Sequence, residues 1–385
     1  MPPLENRSLS ATQCGPENLD PVVEIRQRKE PTSLNGKHVN LFTSDEVSKH
    51  DNAKDCWVIH NDFVYNVTDF IEKHPGGAEL ILNHAGKDIS NLFDDFNFHN
   101  HSSAAHSMLR DYRVGKLKNF KNEAHHIPDE FSMDGWMEDQ VDWNKGMVCQ
   151  VHKFGSQYMK WCNSPVDRKL RLFDSDFIEF FTKTPWYMIP IIWIPVIIIL
   201  SYFSIRELYT TISHADNVQN TDSTYVATAT LFSYLFWFCL GAPVWTLVEY
   251  LLHRFLFHLE PNDSPYLITF HFFLHGQHHK VPFDNNRLVF PPVAAAVLAY
   301  TLYFPFTRSI PGGYGLAMFA GGVLGYVFYD LIHYYLHHGS PERDSYLHSL
   351  KHYHVLHHFD DHSTGYGIST KFWDYPFSTV NKKVT

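Results

Sequence analysis

Long uncharged apolar runs are confined to the second half of this 385-residue chain. Residues 187–205, 226–249, 288–306 and 312–332 form four such runs of about 19 to 25 residues, the length a helix needs to cross the hydrocarbon core of a bilayer. Short segments join them in pairs, which predicts two helical hairpins. The first half instead mixes short apolar runs with turns and charges, so the mean hydropathy of −0.24 averages two unlike halves and hides the membrane character of one. Orientation follows from the basic residues. Segments 206–225 and 307–311 hold only Arg206 and Arg308, whereas the opposite ends carry Arg254, Lys280, Arg287, Arg343, Lys351, Lys371, Lys382 and Lys383. The positive-inside rule places this second set in the cytosol.

Residues 1–37 are Pro-rich and polar without apolar periodicity, which predicts a disordered leader, and no apolar stretch behind a basic start marks a cleaved secretory signal. Residues 38–120 suffice for one small soluble domain, with roughly 8 basic and 12 acidic residues between His38 and Lys118 and hence an acidic face. Residues 121–184, with Trp136, Trp143 and Trp161, read as a linker that rests at the lipid interface or against a membrane domain spanning 185–385. A formal net charge of −10 lacks the basic footprint of a nucleic-acid binder, so nucleic acid is not an expected partner. Cys14, Cys56, Cys149, Cys162 and Cys239 form no Cys-x-x-Cys pair, as expected of reduced thiols on the cytosolic side of a membrane.

The chemistry resides in histidines. Ten of the 27 fall in four tight groups where the hairpins emerge: His253 and His258; His275, His278 and His279; His333 and His337; His354, His357 and His358. Residues three and four apart share a helix face, so each of the last three groups can aim its imidazoles at one point, while His253 and His258, five apart, need a bend. One metal ion takes three to five imidazoles; ten point to two ions. Imidazole suits iron, zinc and copper alike. The neighbours His271, His338 and His352 are expected outside the ligand set. Glu249, four before His253, and Asp330, three before His333, share helix faces with ligands near membrane ends. Buried acids there need partners, so each is expected to accept the second ring N–H of a ligand histidine and fix its tautomer.

His74-Pro75-Gly76-Gly77, followed by Ala85-Gly86-Lys87-Asp88 and by His101-Ser102-Ser103-Ala104-Ala105, resembles the cytochrome b5 family, as do Asp55-Cys56-Trp57-Val58, Val64 to Phe70, and Gly115-Lys116-Leu117. The resemblance covers about 80 residues and implies an α+β haem b domain. In it His74, at a tight turn, and a second histidine bind iron from opposite faces, which leaves the haem to carry electrons. The chain has about three residues more than the family spacing before the His-Ser motif, and His99 lies two positions from His101. His101 is preferred because the small residues after it continue the family pattern.

The histidine groups resemble the fatty acid hydroxylase family of membrane diiron oxygenases. Their pairing with the haem domain is similar to the fungal fatty acid 2-hydroxylases that act on sphingolipids. Further matching stretches are Leu247 to Tyr250, His253 to His258, Arg287-Leu288-Val289, Gly325-Tyr326, Tyr329-Asp330 and Phe372-Trp373-Asp374. The resemblance implies an all-α membrane domain with four transmembrane helices and a cytosolic helical cap holding the dimetal site. It implies two iron ions, which zinc could replace in a preparation. The activity implied is insertion of one oxygen atom at carbon 2 of the acyl chain of a ceramide or a very-long-chain fatty acid, with NADH-cytochrome b5 reductase as electron donor. Lys382-Lys383-Val384-Thr385 looks like a dilysine signal for the endoplasmic reticulum. Two other readings compete. A haem-fused desaturase would share the boxes, although front-end desaturases of this layout usually carry Gln where His354 stands. A metal transporter with a haem sensor would place its ligands near mid-membrane rather than at span ends.

Overall fold

The computed structural model describes residues 40–93, 101, 103–118, 137–215 and 223–383. The expected leader and Trp136 lie outside these residues. The N-terminal domain runs β1 (Leu41–Phe42), α1 (Ser44–Val47), β2 (Asp51–Asn52), β3 (Asp55–His60), β4 (Phe63–Asn66), α2 (Ala78–Leu82), α3 (Ser90–Phe93), α4 (Ser103–Asp111) and β5 (Arg113–Leu117). Its five strands lie in the order β1-β5-β4-β3-β2, with β1 parallel to β5 and the other pairs antiparallel. Thr43 and Glu46 close a reciprocal capping box at the start of α1. One side of the sheet packs Val47, Ile59 and Val64, and the other packs Cys56, Val58, Tyr65, Val67 and Ile71 against the helices. The alternation along β3 and β4 thus feeds two apolar layers, and the helical side opens into a cleft.

Residues 137–184 are not a free linker. Short 3₁₀ turns, α5 (Tyr158–Cys162) and α6 (Asp176–Phe180) build a core of Met147, Val151, Phe154, Tyr158, Trp161, Val166 and Leu172 around Ile268, Phe272 and Val281. The segment therefore packs against the second half of the chain. Two basic residues that read as surface charges are buried in it. Lys280 is 0% exposed; its Nζ lies 2.5 Å from Glu138 and donates to the carbonyls of Trp161 (2.9 Å) and Ser164 (2.6 Å). Arg287 bonds Glu179 and donates to the carbonyl of Leu170 and the hydroxyl of Thr182. Removing one partner of such a pair strands a charge. Glu138→Ala is expected to cost about 3–5 kcal/mol of stability, read as a lower unfolding temperature in detergent, and Glu138→Gln should cost less.

The membrane part contains α7 (Met188–Ala215), α8 (Ser223–Leu251), α11 (Pro292–Ser309) and α12 (Gly313–His338), with α9 (Pro265–His271) and α10 (Gln277–Lys280) between the two hairpins and α13 (Tyr346–Phe359) after them. Among the described residues three helices are long and apolar enough to cross a membrane: Met188–His214, Ser223–Phe257 and Gly313–His338. The stretch expected at 288–306 is helical only from Pro292. Pro291 caps the helix and Leu288-Val289 form a buried, non-helical approach, so α11 has 18 residues and a length of about 27 Å. Helix α12 is the hub: 67% of its apolar window is inside the protein, against 22% for α7 and 11% for α8, whose outer faces are left for lipid. Close approach depends on small residues, since a Cβ at Gly321 would strike the carbonyl of Phe238 in α8.

Candidate metal centre and haem cleft

All ten histidines converge, but not in the four groups in which they occur along the chain. His253, His258, His275, His279 and His357 form one cluster, and His278, His333, His337, His354 and His358 form the other, with one ring nitrogen from each member within 4.8 Å of the rest. The adjacent pairs His278-His279 and His357-His358 are split between clusters, because successive helical residues point about 100° apart. Expecting each sequence group to aim at one point was therefore incorrect for these two groups. The clusters share a border, where the rings of His279 and His358 stack with centroids 4.2 Å apart.

The bend required between His253 and His258 is a π turn. Residues Leu252–Phe257 continue α8 as a π-helix, and the amide of His258 donates to the carbonyl of His253 at 3.0 Å. Five residues per hydrogen-bonded step put i and i+5 on one face, as π-bulges often do at functional sites. A second π turn, Phe272–Gly276, sets His275 over His279.

The ring nitrogens face one another at close range. His253 Nε2 lies 3.2 Å from both His275 Nε2 and His258 Nε2, His279 Nε2 lies 3.1 Å from His275 Nε2, and His357 Nε2 lies 3.0 Å from His258 Nε2. In the second cluster His354 Nε2 is 3.1 Å from His333 Nε2 and 2.9 Å from His337 Nε2. Both ring nitrogens of His278 and of His358 are buried without a hydrogen-bond partner. Burial holds His258, His275, His278, His279, His354, His357 and His358 well below the ordinary imidazole range, and neighbouring imidazoles add to the effect. Each neutral ring has one lone pair to offer, and a cation among the converging nitrogens would accept it. Metal–nitrogen bonds of about 2.1 Å at right angles would separate neighbouring nitrogens by about 3.0 Å, close to the spacing observed. The residues fit a metal in each cluster, and the donor set is all nitrogen.

The two acids do not act as expected. Glu249 accepts the amides of Ile368 (3.0 Å) and Ser369 (2.8 Å) and bonds the Ser369 hydroxyl; Asp330 accepts the amide of Phe290 with both oxygens at 3.1 Å and the hydroxyl of Tyr326 at 3.1 Å. Neither reaches a histidine. Backbone carbonyls orient the rings instead: Tyr366 O lies 2.6 Å from His253 Nδ1, and Thr364 O lies 2.7 Å from His357 Nδ1. These carbonyls belong to a strap, residues 364–369, held by Glu249 at one end and by the buried Asp374, which accepts the amides of Tyr366 (3.0 Å) and Gly367 (2.9 Å). A short helical period made the acids look adjacent to the ligands, but their bonds to passing backbone amides could not be read from spacing. Glu249→Gln and Asp374→Asn are each expected to cost about 10- to 100-fold in metal affinity, measured by competition with a chelator. Asp330→Asn, which touches neither strap nor ring, should cost less than either.

The neighbouring histidines stay outside. His271 Nδ1 meets the hydroxyl of Tyr158 at 2.6 Å beside Trp161 and Phe272, His338 packs on Tyr334, and His352 lines the haem-domain cleft. His362 went unremarked in the sequence; its ring lies 5.4 Å from His279 and 6.5 Å from His357 and backs the first cluster. Its spacing of four from His358 was the available signal.

In the N-terminal domain the rings of His74 and His101 face each other with centroids 6.3 Å apart. Two metal–nitrogen bonds of about 2 Å plus the ring radii give about 6 Å, so the pair fits one iron between them. Each ring bonds a backbone carbonyl through Nδ1, His74 to Gly77 and His101 to Phe93, both at 3.0 Å, which selects Nε2 as the ligand atom. The His74 turn closes through the amide of Gly77, whose φ of 95° requires glycine. His99, the alternative ligand, lies outside the described residues.

Comparison with known proteins agrees with this division. Residues 43–118 match the cytochrome b5-like heme/steroid binding domain and residues 238–379 the fatty acid hydroxylase domain. A fatty acid 2-hydroxylase of Rattus norvegicus is 44% identical over 361 residues, 88% of this chain and 95% of that protein. The chain belongs to the fatty acid 2-hydroxylase family. The ceramide very long chain fatty acid hydroxylase SCS7 of Saccharomyces cerevisiae is 32% identical over 89% of this hydroxylase and 95% of its own length. A solved structure described as full-length scs7p with only the hydroxylase domain visible superposes with a TM-score of 0.51 at 31% identity, covering 64% of this chain and 88% of that one. The cytochrome b5 domain implies haem, and the hydroxylase domain with its histidine clusters implies a metal site.

Proposed function

We propose that this hydroxylase inserts one oxygen atom at carbon 2 of the acyl chain of a ceramide or very-long-chain fatty acid, with iron in both histidine clusters. The observation that carries the reading is the pair of five-histidine clusters, built without a carboxylate or thiol and placed on the chain that also holds the haem domain. Iron suits imidazole and changes oxidation state, which gives a fused electron carrier a purpose; zinc does not. When bound, such iron would supply oxygen activation, and the protein's own groups supply the rest. His74 and His101 would hold the haem iron. The strap orients His253 and His357, and the cap core shields the clusters from water.

The substrate side is apolar. A small crevice of about 60 Å³ runs between α7, α8, α11 and α12, lined by Trp193, Trp245, Leu252, Leu302 and Val323 among others. Its lining includes Phe257, whose ring stacks on His275, and Tyr329, whose ring stacks on His333. Methylene groups suit such a wall, and a polar headgroup does not.

Topology favours four crossings. Helix α11 begins beside Asp330, three residues from His333 at the histidine end of α12, and α12 returns to that end. The chain between must reach the opposite side, so α11 traverses despite its 18 residues. With the basic residues on the histidine side, both domains would face the cytosol, on the endoplasmic reticulum if Lys382-Lys383 is read as a retrieval signal. The acidic haem domain would accept electrons from NADH-cytochrome b5 reductase. Lipid analysis of cells lacking and then re-expressing the protein tests the reading: restoration of 2-hydroxy acyl chains supports it, and restoration of a double bond would instead make the protein a desaturase.

A further inference from the structure

The cavity over His74 and His101 has a volume of about 1160 Å³ and two unlike walls. The haem-domain wall is mostly apolar, with Val58, Phe70 and Met108, has Glu79 as its charged side chain and contributes no Lys or Arg among the described lining residues. The other wall belongs to the hydroxylase domain. It is the loop after α12 and the outer face of α13, and it brings Arg343 and Lys351 to the cavity. The two domains meet through ion pairs and hydrogen bonds: Lys73 to Asp167 at 2.7 Å, the Tyr112 hydroxyl to Asp167 at 2.8 Å, and Arg168 to Asp111 at 3.5 Å.

Haem b bears two carboxylates at one edge. An ionised carboxylate is strongly disfavoured against an apolar wall, which favours placing that edge on the side of the cavity where cations are present. Arg343 is exposed and makes no ion pair among the described residues. Lys351 Nζ spends one donor on the carbonyl of Gly339 at 2.8 Å, and an ammonium has three. Of the acids on the lining, Asp360 is already held by Lys383 at 2.7 Å, which leaves Glu79 against two cations. We propose that Arg343 and Lys351 bind the haem carboxylates, so that the hydroxylase domain completes a haem site whose iron ligands come from the other domain. Helix α13 then has a function on each face: His354, His357 and His358 enter the metal clusters, while Lys351, Val355 and Leu356 close the haem cavity. The proposal rests on haem binding by His74 and His101.

The test uses the full chain and haem loss to an excess of a high-affinity apoprotein acceptor. Arg343→Gln/Lys351→Gln is expected to lose haem about tenfold faster or more, as befits two charge-assisted contacts, and to show a lower haem reduction potential because positive charge near the iron is removed. Lys145→Gln, an exposed lysine away from the cavity, should match wild type. A second arm needs no substitution: wild-type protein reconstituted with haem dimethyl ester, whose carboxylates are capped, should lose its haem as fast as the double variant does. Equal loss rates for haem and its ester in wild type, or for wild type and the double variant, would overturn the proposal. Absence of haem binding in wild type would refute the haem reading itself.

Discussion

His279→Ala and His358→Ala are each expected to lose about one of two metal ions per chain and all 2-hydroxylation, and the ion lost should differ between them. His279 belongs to the cluster with His253, His258, His275 and His357, and His358 to the cluster with His278, His333, His337 and His354. The double variant should therefore hold no metal, whereas a single shared site would already lose all of its metal in either single variant. Membrane insertion should survive in all three, because it depends on apolar length and flanking charge. Elemental analysis of purified protein beside product analysis reads both effects. Two ions and full activity in either single variant would contradict the two-cluster assignment.

His74→Ala and His101→Ala are each expected to abolish the haem absorption band of the full-length protein while leaving the other metals in place. Each removes one of the two rings that face each other at 6.3 Å. His99→Ala should keep the band. Turnover with NADH and a reductase should vanish in the two haem-free variants, whereas a chemical reductant delivered directly to the metal centre should restore part of it. A band that persists in His101→Ala and disappears in His99→Ala would reverse the ligand assignment.

The residue spacing exposed the chemistry better than the architecture around it. Helical periodicity grouped eight of the ten clustered histidines, since i+3 and i+4 spacing is a local property, and the His-Pro-Gly-Gly turn marked one wall of the haem cleft. The split of His278 from His279 followed from the same geometry but needed the neighbouring helices to show that two targets existed. The π turn that aligns His253 with His258 depends on one extra residue per step, which apolar patterning does not reveal. Glu249 and Asp330 misled for a different reason: sharing a helix face with a ligand says nothing of which backbone amides pass nearby. Glu138 and Glu179 were also invisible as partners, because pairing over 142 and 108 positions with Lys280 and Arg287 is a property of the folded chain.

The most direct test of the central claim is a turnover of the purified, metal-loaded protein with a ceramide under oxygen-18 gas, followed by mass analysis of the acyl chain. The account predicts one oxygen-18 atom, in a hydroxyl at carbon 2. A product with a new double bond and no label, or a hydroxyl carrying oxygen from water, would contradict it.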